Sequence, residues 1–223
     1  MNIDEFRSIL PGMTDLSCVR ADNTIAEIGE MAELAVSLKA AAVFALPANT
    51  ELLCGMMSGT GITVGGTVGF PSGCEETDTK LFITERLLKY GCGEIDMVIN
   101  QTDLRSGREE RVIKDISAVC DLCGDVPVKV ILEVNNLTPE QIRFGCRLAE
   151  RAGASFVKSG TGWNPKPTTV EQIRIMRESV SERVQVKAAG GIKDIKTAYD
   201  MYCAGCRRFG ESVHSAKLVL GLN

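Results

Sequence analysis

Short apolar runs and amphipathic stretches alternate along this chain from end to end. Runs at 15–19, 41–46, 62–68, 94–99, 126–133, 155–159, 184–188 and 206–211 are rich in Val and Ile and short for helices, which predicts eight strands. Between them, apolar residues recur at helical spacing over 24–38, 75–89, 111–123, 138–151, 169–180 and 192–203, and a short helix at 3–10 precedes the first strand. Thr138-Pro139-Glu140-Gln141 reads as an N-cap threonine, a proline in the first turn and a glutamine completing a capping box. Thr168-Thr169-Val170-Glu171 opens the next helix similarly, and Gly91, Gly153 and Gly205 mark helix ends.

Strands without clean alternation suit a parallel sheet covered by helices. Eight of them in strict βα alternation predict a (β/α)8 TIM barrel, one domain over 1–223 with an N-terminal helix within 1–12. A flavodoxin-like or Rossmann sheet is the alternative. It is disfavoured because Gly59, Gly61 and Gly65 miss the G-x-G-x-x-G spacing and no P-loop is present.

Composition narrows the classes further. The chain has 223 residues, 44% hydrophobic, with a net charge of −4, so no basic field invites nucleic acid. No apolar stretch reaches the roughly 20 residues of a membrane span. The charged start, Met1 to Arg7, does not read as a secretion signal, and a cytoplasmic location is expected. Nine scattered cysteines argue against a disulfide framework. The pairs Cys120/Cys123 and Cys203/Cys206 fall on helix-like segments and read as buried small hydrophobes rather than zinc ligands. The one histidine, His214, reads as a surface or loop residue at a helix start, so neither a metal nor another cofactor is expected.

Ionisable residues interrupt the apolar runs where a barrel gathers its functional groups, toward the C-terminal ends of strands. They are Asp96, Lys129, Glu133, Lys158 and Lys187. Alternation puts Lys129 and Glu133 on one face, which favours a buried ion-pair layer. Lys158 and Lys187 each precede a glycine-rich turn, which favours amine chemistry. Neighbouring strands lie about 4.8 Å apart, so the two amines can approach closely. Two like charges at that range repel by roughly 4 kcal/mol at an effective dielectric near 20, enough to push one amine toward its neutral, nucleophilic form. Asp96 is the candidate proton shuttle. Gly190, Gly191 and Gly210 follow strands seven and eight, where barrels bind phosphate, with Lys193 and Ser212 as further donors.

Taken together, Thr67-Val68-Gly69-Phe70-Pro71-Ser72-Gly73, Gly93 to Asn100, Lys129 to Glu133, Phe156-Val157-Lys158 with Thr161-Gly162, and Val186 to Ile192 resemble the deoxyribose-phosphate aldolase family, class I aldolases on a (β/α)8 barrel. The resemblance implies reversible cleavage of 2-deoxyribose 5-phosphate to glyceraldehyde 3-phosphate and acetaldehyde. It implies Lys158 as the Schiff-base lysine, Lys187 as the lysine that perturbs it, Asp96 as the acid/base carboxylate, and Asp15 and Ser17 as contacts to substrate hydroxyls. Thr161 and Gly162 join the substrate-binding set, and a homodimer is suggested. Departures from the family pattern are Leu16 for a histidine, Phe44 for a cysteine, Ser159-Gly160 for Thr-Ser, Trp163 for Lys or Phe, and Glu211-Ser212-Val213 for a small residue and two serines. Phe44 narrows the expected pocket, Trp163 is either a lid or a packed loop residue, and Glu211 brings a negative charge toward the expected phosphate. The alternatives are a related Schiff-base lyase, isomerase or dehydratase on another, unphosphorylated aldehyde, and a non-catalytic metabolite-binding barrel.

Overall fold

The computed structural model describes residues 1–222. Strands β1 (Thr14–Cys18), β2 (Ala42–Ala45), β3 (Thr63–Val68), β4 (Glu94–Val98), β5 (Val128–Ile131), β6 (Phe156–Lys158), β7 (Gln185–Ala189) and β8 (Cys206–Glu211) pair in chain order and close into a barrel. Every pairing is parallel, including β1 with β8. The helices are α1 (Ile3–Ile9), α2 (Ile25–Leu38), α3 (Pro47–Met57), α4 (Thr77–Tyr90), α5 (Gln101–Arg105), α6 (Glu109–Cys123), α7 (Pro139–Arg151), α8 (Val170–Glu178), α9 (Ile195–Cys203) and α10 (Val213–Leu220). The (β/α)8 barrel is therefore the fold, and the Rossmann alternative falls.

The alternation of side chains along each strand decides where the apolar core sits. One parity of strand residues, among them Leu16, Val43, Val64, Ile95, Met97, Val130, Val157, Val186 and Phe209, joins the continuous hydrophobic cluster under the helices. The other parity, with Asp15, Phe44, Thr67, Glu94, Asp96, Lys129, Lys158, Lys187 and Arg208, fills the barrel interior with charge and two phenylalanines, Phe44 and Phe156. Space there is tight. A Cβ on Gly65 would lie 2.1 Å from the Phe44 ring, so glycine in β3 is what admits phenylalanine in β2. A register irregularity between Val186 and Lys187 in the β7–β8 pairing sits beside one of the interior lysines.

The helix starts follow the capping chemistry. Thr24, Thr138 and Thr169 each accept from the N3 backbone N–H in complete capping boxes. Helices α3, α5 and α10 escape the periodicity pattern. In α3 the apolar residues come as Leu52-Leu53 and Met56-Met57 around Gly55, and no side chain caps its start. Helix α5 has five residues and α10 has eight, too few turns for a period to stand out. The predicted strand at 126–133 is longer than β5. The chain leaves the sheet after Ile131, and Glu133 takes a left-handed backbone with φ of 52°. Glu133 is thus not the partner of Lys129 in an ion-pair layer.

Candidate active site

The charged interior is one connected network. Lys129 Nζ bonds Glu94 Oε2, lies 3.2 Å from Asp96 Oδ1 and 3.7 Å from Asp15 Oδ2. Arg208 bridges Asp15 at 2.7 Å and Glu94 at 2.9 Å. Above this, Asp96 Oδ2 accepts from Lys158 Nζ at 2.7 Å and from Lys187 Nζ at 2.8 Å. Lys187 also pairs with Asp15 at 2.6 Å and stands 4.5 Å from the Phe44 ring centroid. The register explains the meeting: Lys158 and Lys187 are direct partners across β6 and β7.

These contacts sort the protonation states. Three carboxylates, Asp15, Glu94 and Asp96, face four cations, Lys129, Lys158, Lys187 and Arg208. One positive charge is surplus in a site that disfavours any net charge. Burial pulls Lys158 down to about 8, with the Lys187 cation adding to the fall and Asp96 only partly opposing it. Burial acts on Lys187 too, but Asp15 and Asp96 outweigh it and raise that amine above its ordinary value. Asp96 resists the upward push of burial because Lys129, Lys158 and Lys187 hold it well below the carboxylate range.

A cavity opens at the C-terminal ends of the strands above this network. Its lining includes Ser17, Phe44, Thr67, Asp96, Lys158, Thr161, Gly162, Gly190, Gly191, Gly210, Glu211 and Ser212. Of the sequence candidates, Asp96, Lys158, Ser17, Thr161, Gly162, Gly190, Gly191, Gly210 and Ser212 are brought together here. Lys187 is fully buried behind Asp96 rather than on the cavity surface. Two expectations are corrected. Asp15 is fully buried and bound to Lys187 and Arg208, so it is not placed to touch a substrate hydroxyl. Lys193 is exposed and absent from the lining.

Glu211 also departs from expectation. Its carboxyl is buried, its Oε1 has no hydrogen-bond partner, and burial raises it well above the ordinary carboxylate range. Burial thus opposes the charged form of this carboxyl at the cavity wall. Glu133, by contrast, braces the loop after β6, accepting from the Thr161 N–H at 3.2 Å and from the Thr161 hydroxyl. Trp163 closes one side of the cavity, donating from Nε1 to the Val19 carbonyl at 2.8 Å and meeting Phe70 edge-on at 6.2 Å. It therefore acts as a wall that ties the β6 loop to the β1 loop. His214 is an exposed residue of α10.

Sequence reasoning missed Glu94, the first residue of β4, Arg208, which follows another arginine within β8, and Arg20 and Thr67, which line the cavity. Thr67 neighbours Asp96 in the β3–β4 register, and its buried hydroxyl has no hydrogen-bond partner among the described residues. An orphan hydroxyl in a cavity wall is a ready contact for a ligand oxygen. Among the described residues, no group of three or more His, Cys, Asp or Glu is placed to hold a metal ion. Among these described residues, no helix is long and apolar enough to cross a membrane.

Comparison with known proteins points one way. Residues 16–210 match the profile of the DeoC/LacD family aldolases. A deoxyribose-phosphate aldolase from Klebsiella pneumoniae is 40% identical over 211 residues, covering 93% of this chain and 85% of the relative. One from Methanothermobacter thermautotrophicus is 39% identical, covering 95% of this chain and 94% of its own. The solved structure of the tetrameric deoxyribose phosphate aldolase from Aeropyrum pernix superposes with a TM-score of 0.88 at 24% identity, over 96% of this chain and 91% of that one, a likeness of fold.

Proposed function

This chain belongs to the DeoC/LacD family of aldolases, and on that premise we propose that it is a class I deoxyribose-phosphate aldolase with Lys158 as its Schiff-base nucleophile. The observation that carries the reading is that Lys158 is the one amine on the cavity wall and the one whose burial brings it down to about 8. At pH 7 about a tenth of it is neutral and at pH 8 about half, against roughly four parts in ten thousand and four in a thousand for an ordinary lysine.

The neutral Lys158 amine attacks the C1 aldehyde of open-chain 2-deoxyribose 5-phosphate and forms a carbinolamine. Loss of water from it gives an imine. Asp96 Oδ2, 2.7 Å from Nζ, takes the proton the nitrogen gives up and supplies one to the departing oxygen, directly or through a water. The protonated imine then draws electrons from the C2–C3 bond as the C3 hydroxyl gives its proton to Asp96, directly or through a water, and Asp96 later returns a proton to C2. That bond breaks, glyceraldehyde 3-phosphate leaves, and an enamine of acetaldehyde remains on Lys158. Protonation at C2 and hydrolysis of the imine release acetaldehyde and restore the amine. Lys187 stays charged throughout, keeping Asp96 ionised and disfavouring a proton on Lys158. The Thr67 hydroxyl, beside Asp96, offers a bond to the carbinolamine oxygen or its water.

Borohydride reduction in the presence of acetaldehyde tests the reading. An ethyl group on Lys158, found by peptide mass spectrometry, is the expected result. An adduct elsewhere, or none, overturns the assignment. A homo-oligomer is part of the same reading. It is supported by the exposed apolar residues Ile25 and Val36 on α2 and Leu52 and Met56 on α3, and sedimentation velocity decides it.

A further inference from the structure

A phosphorylated substrate brings about two negative charges into a cavity whose lining holds only two cationic side chains, Lys158 and Arg20. In the aldolase reading, on which this inference rests, Lys158 becomes the imine and sits against Asp96, at the barrel floor. The expected phosphate cation, Lys193, is off the cavity. Glycine loops and the start of α10 offer N–H donors but no net charge. Arg20 is what remains.

Its placement is that of a prepared binding group. The guanidinium lies 4.7 Å from the Trp163 ring centroid. The ring is itself fixed, by its Nε1 bond to the Val19 carbonyl and by its backbone N–H to Thr161 Oγ1 at 3.0 Å. The backbone of Arg20 is held in turn, its N–H donating to Asn23 Oδ1 at 2.8 Å. Stacking fixes the plane of the guanidinium and leaves its edge to donate. The carboxylate contact of Arg20 is loose: Nε to Asp22 Oδ1 at 3.9 Å, both side chains exposed. The cavity's own carboxyls do not compete. Asp96 is saturated by three lysines, and Glu211 is buried with its carboxyl pushed above the ordinary range and its Oε1 unbonded among the described residues.

We propose that Arg20, stacked over Trp163, recognises the terminal phosphate of the substrate, with the Gly190–Gly191 loop and the Ser212 end of α10 supplying neutral donors beside it. The role is one of substrate binding and selection between phosphorylated and plain sugars.

The test uses the full chain and its Arg20→Ala and Arg20→Lys variants, assayed with 2-deoxyribose 5-phosphate and with 2-deoxyribose. Arg20→Ala is expected to raise KM for the phosphorylated sugar about 10- to 100-fold, with kcat changed far less. The ratio of kcat/KM between phosphorylated and plain sugar should fall by a similar factor. Arg20→Lys should recover part of it, and inorganic phosphate should inhibit the parent competitively and the Ala variant more weakly. An unchanged ratio, or an equal loss on both sugars, overturns the proposal. Acetaldehyde trapping on Lys158 separates the two claims, because it needs no phosphate. An adduct with an unchanged ratio refutes Arg20 alone; no adduct in the parent refutes the aldolase reading and this inference with it.

Discussion

Two tiers of charge fill the same barrel and are built for different ends. In the lower tier Lys129 faces Glu94, Asp96 and Asp15, and Arg208 ties Asp15 to Glu94. Each cation there has more than one carboxylate and none lines the cavity. In the upper tier Lys158 has one carboxylate, Asp96, which it shares with Lys187 and Lys129. The tier that closes its charge balance is a scaffold. The tier left with a surplus proton can release it, and the release falls to the amine at the cavity wall. A reactive lysine here is thus the remainder of a count over the whole interior, more than a property of its immediate neighbour.

Lys158→Met should show the largest effect, removing turnover and the borohydride adduct altogether. It should not destabilise the fold. Bringing Lys158 from 10.5 to about 8 costs on the order of 3 kcal/mol at neutral pH. The sign follows from proton counting. Between about 8 and 10.5 the unfolded chain binds the proton and the folded chain does not, so stability rises with pH across that window and is lowest below it. The parent should therefore gain stability from pH 8 to pH 10 in urea melts relative to the Met variant, and the variant should match or exceed it at pH 7. A variant that melts well below the parent at pH 7 would break the contrast between tiers.

Lys129→Met attacks the other tier and should do the reverse. Glu94 and Asp96 lose a buried partner, and removing one member of a buried network typically costs about 3 to 5 kcal/mol. The expected reading is a fall in chemical-denaturation midpoint with acetaldehyde trapping on Lys158 retained in the folded fraction, its pH midpoint moved up because Lys129 is one of the cations opposing a proton there. Loss of trapping without loss of stability would merge the two tiers.

Lys187→Leu sharpens the count itself. It deletes one cation, so the three carboxylates are matched by Lys129, Arg208 and Lys158, and the surplus vanishes. Lys158 should then keep its proton to higher pH. The rate of acetaldehyde trapping, which in the parent rises through about pH 8, should rise through a midpoint at least one unit higher. A midpoint that stays near 8 would mean that burial alone sets the amine.

The barrel was legible because strand and helix periods alternate so regularly, and the lysines because each breaks an apolar run immediately before glycines. What escaped depends on contacts distant in sequence. Arg208 follows Arg207, and only the barrel's closure shows that one arginine points to Asp15 while the other stacks on Tyr202. Resemblance places Asp15 on the substrate, yet Leu16 and Ser17 beside it do not reveal that Lys187 occupies its carboxylate. Glu133 was paired with Lys129 by alternation, which fails once the backbone turns left-handed.

The smallest effect tests the one charge that sequence and structure read oppositely. As an anion, Glu211 would repel phosphate, and Glu211→Gln would lower KM for 2-deoxyribose 5-phosphate several-fold. Buried without a counter-ion, the carboxyl is pushed toward its neutral form, and an amide of nearly the same shape should change that KM by less than about threefold at pH 7. The two states separate further with pH. Because the Glu211 carboxyl titrates well above the ordinary carboxylate range, raising the pH should ionise it in the parent, first weakening phosphate binding there and leaving the Gln variant behind. KM profiles from pH 6 to 9 for both proteins should therefore coincide at the acid end and diverge toward the basic end. A gap already open at pH 6 and unchanged up to pH 9 would overturn the neutral reading.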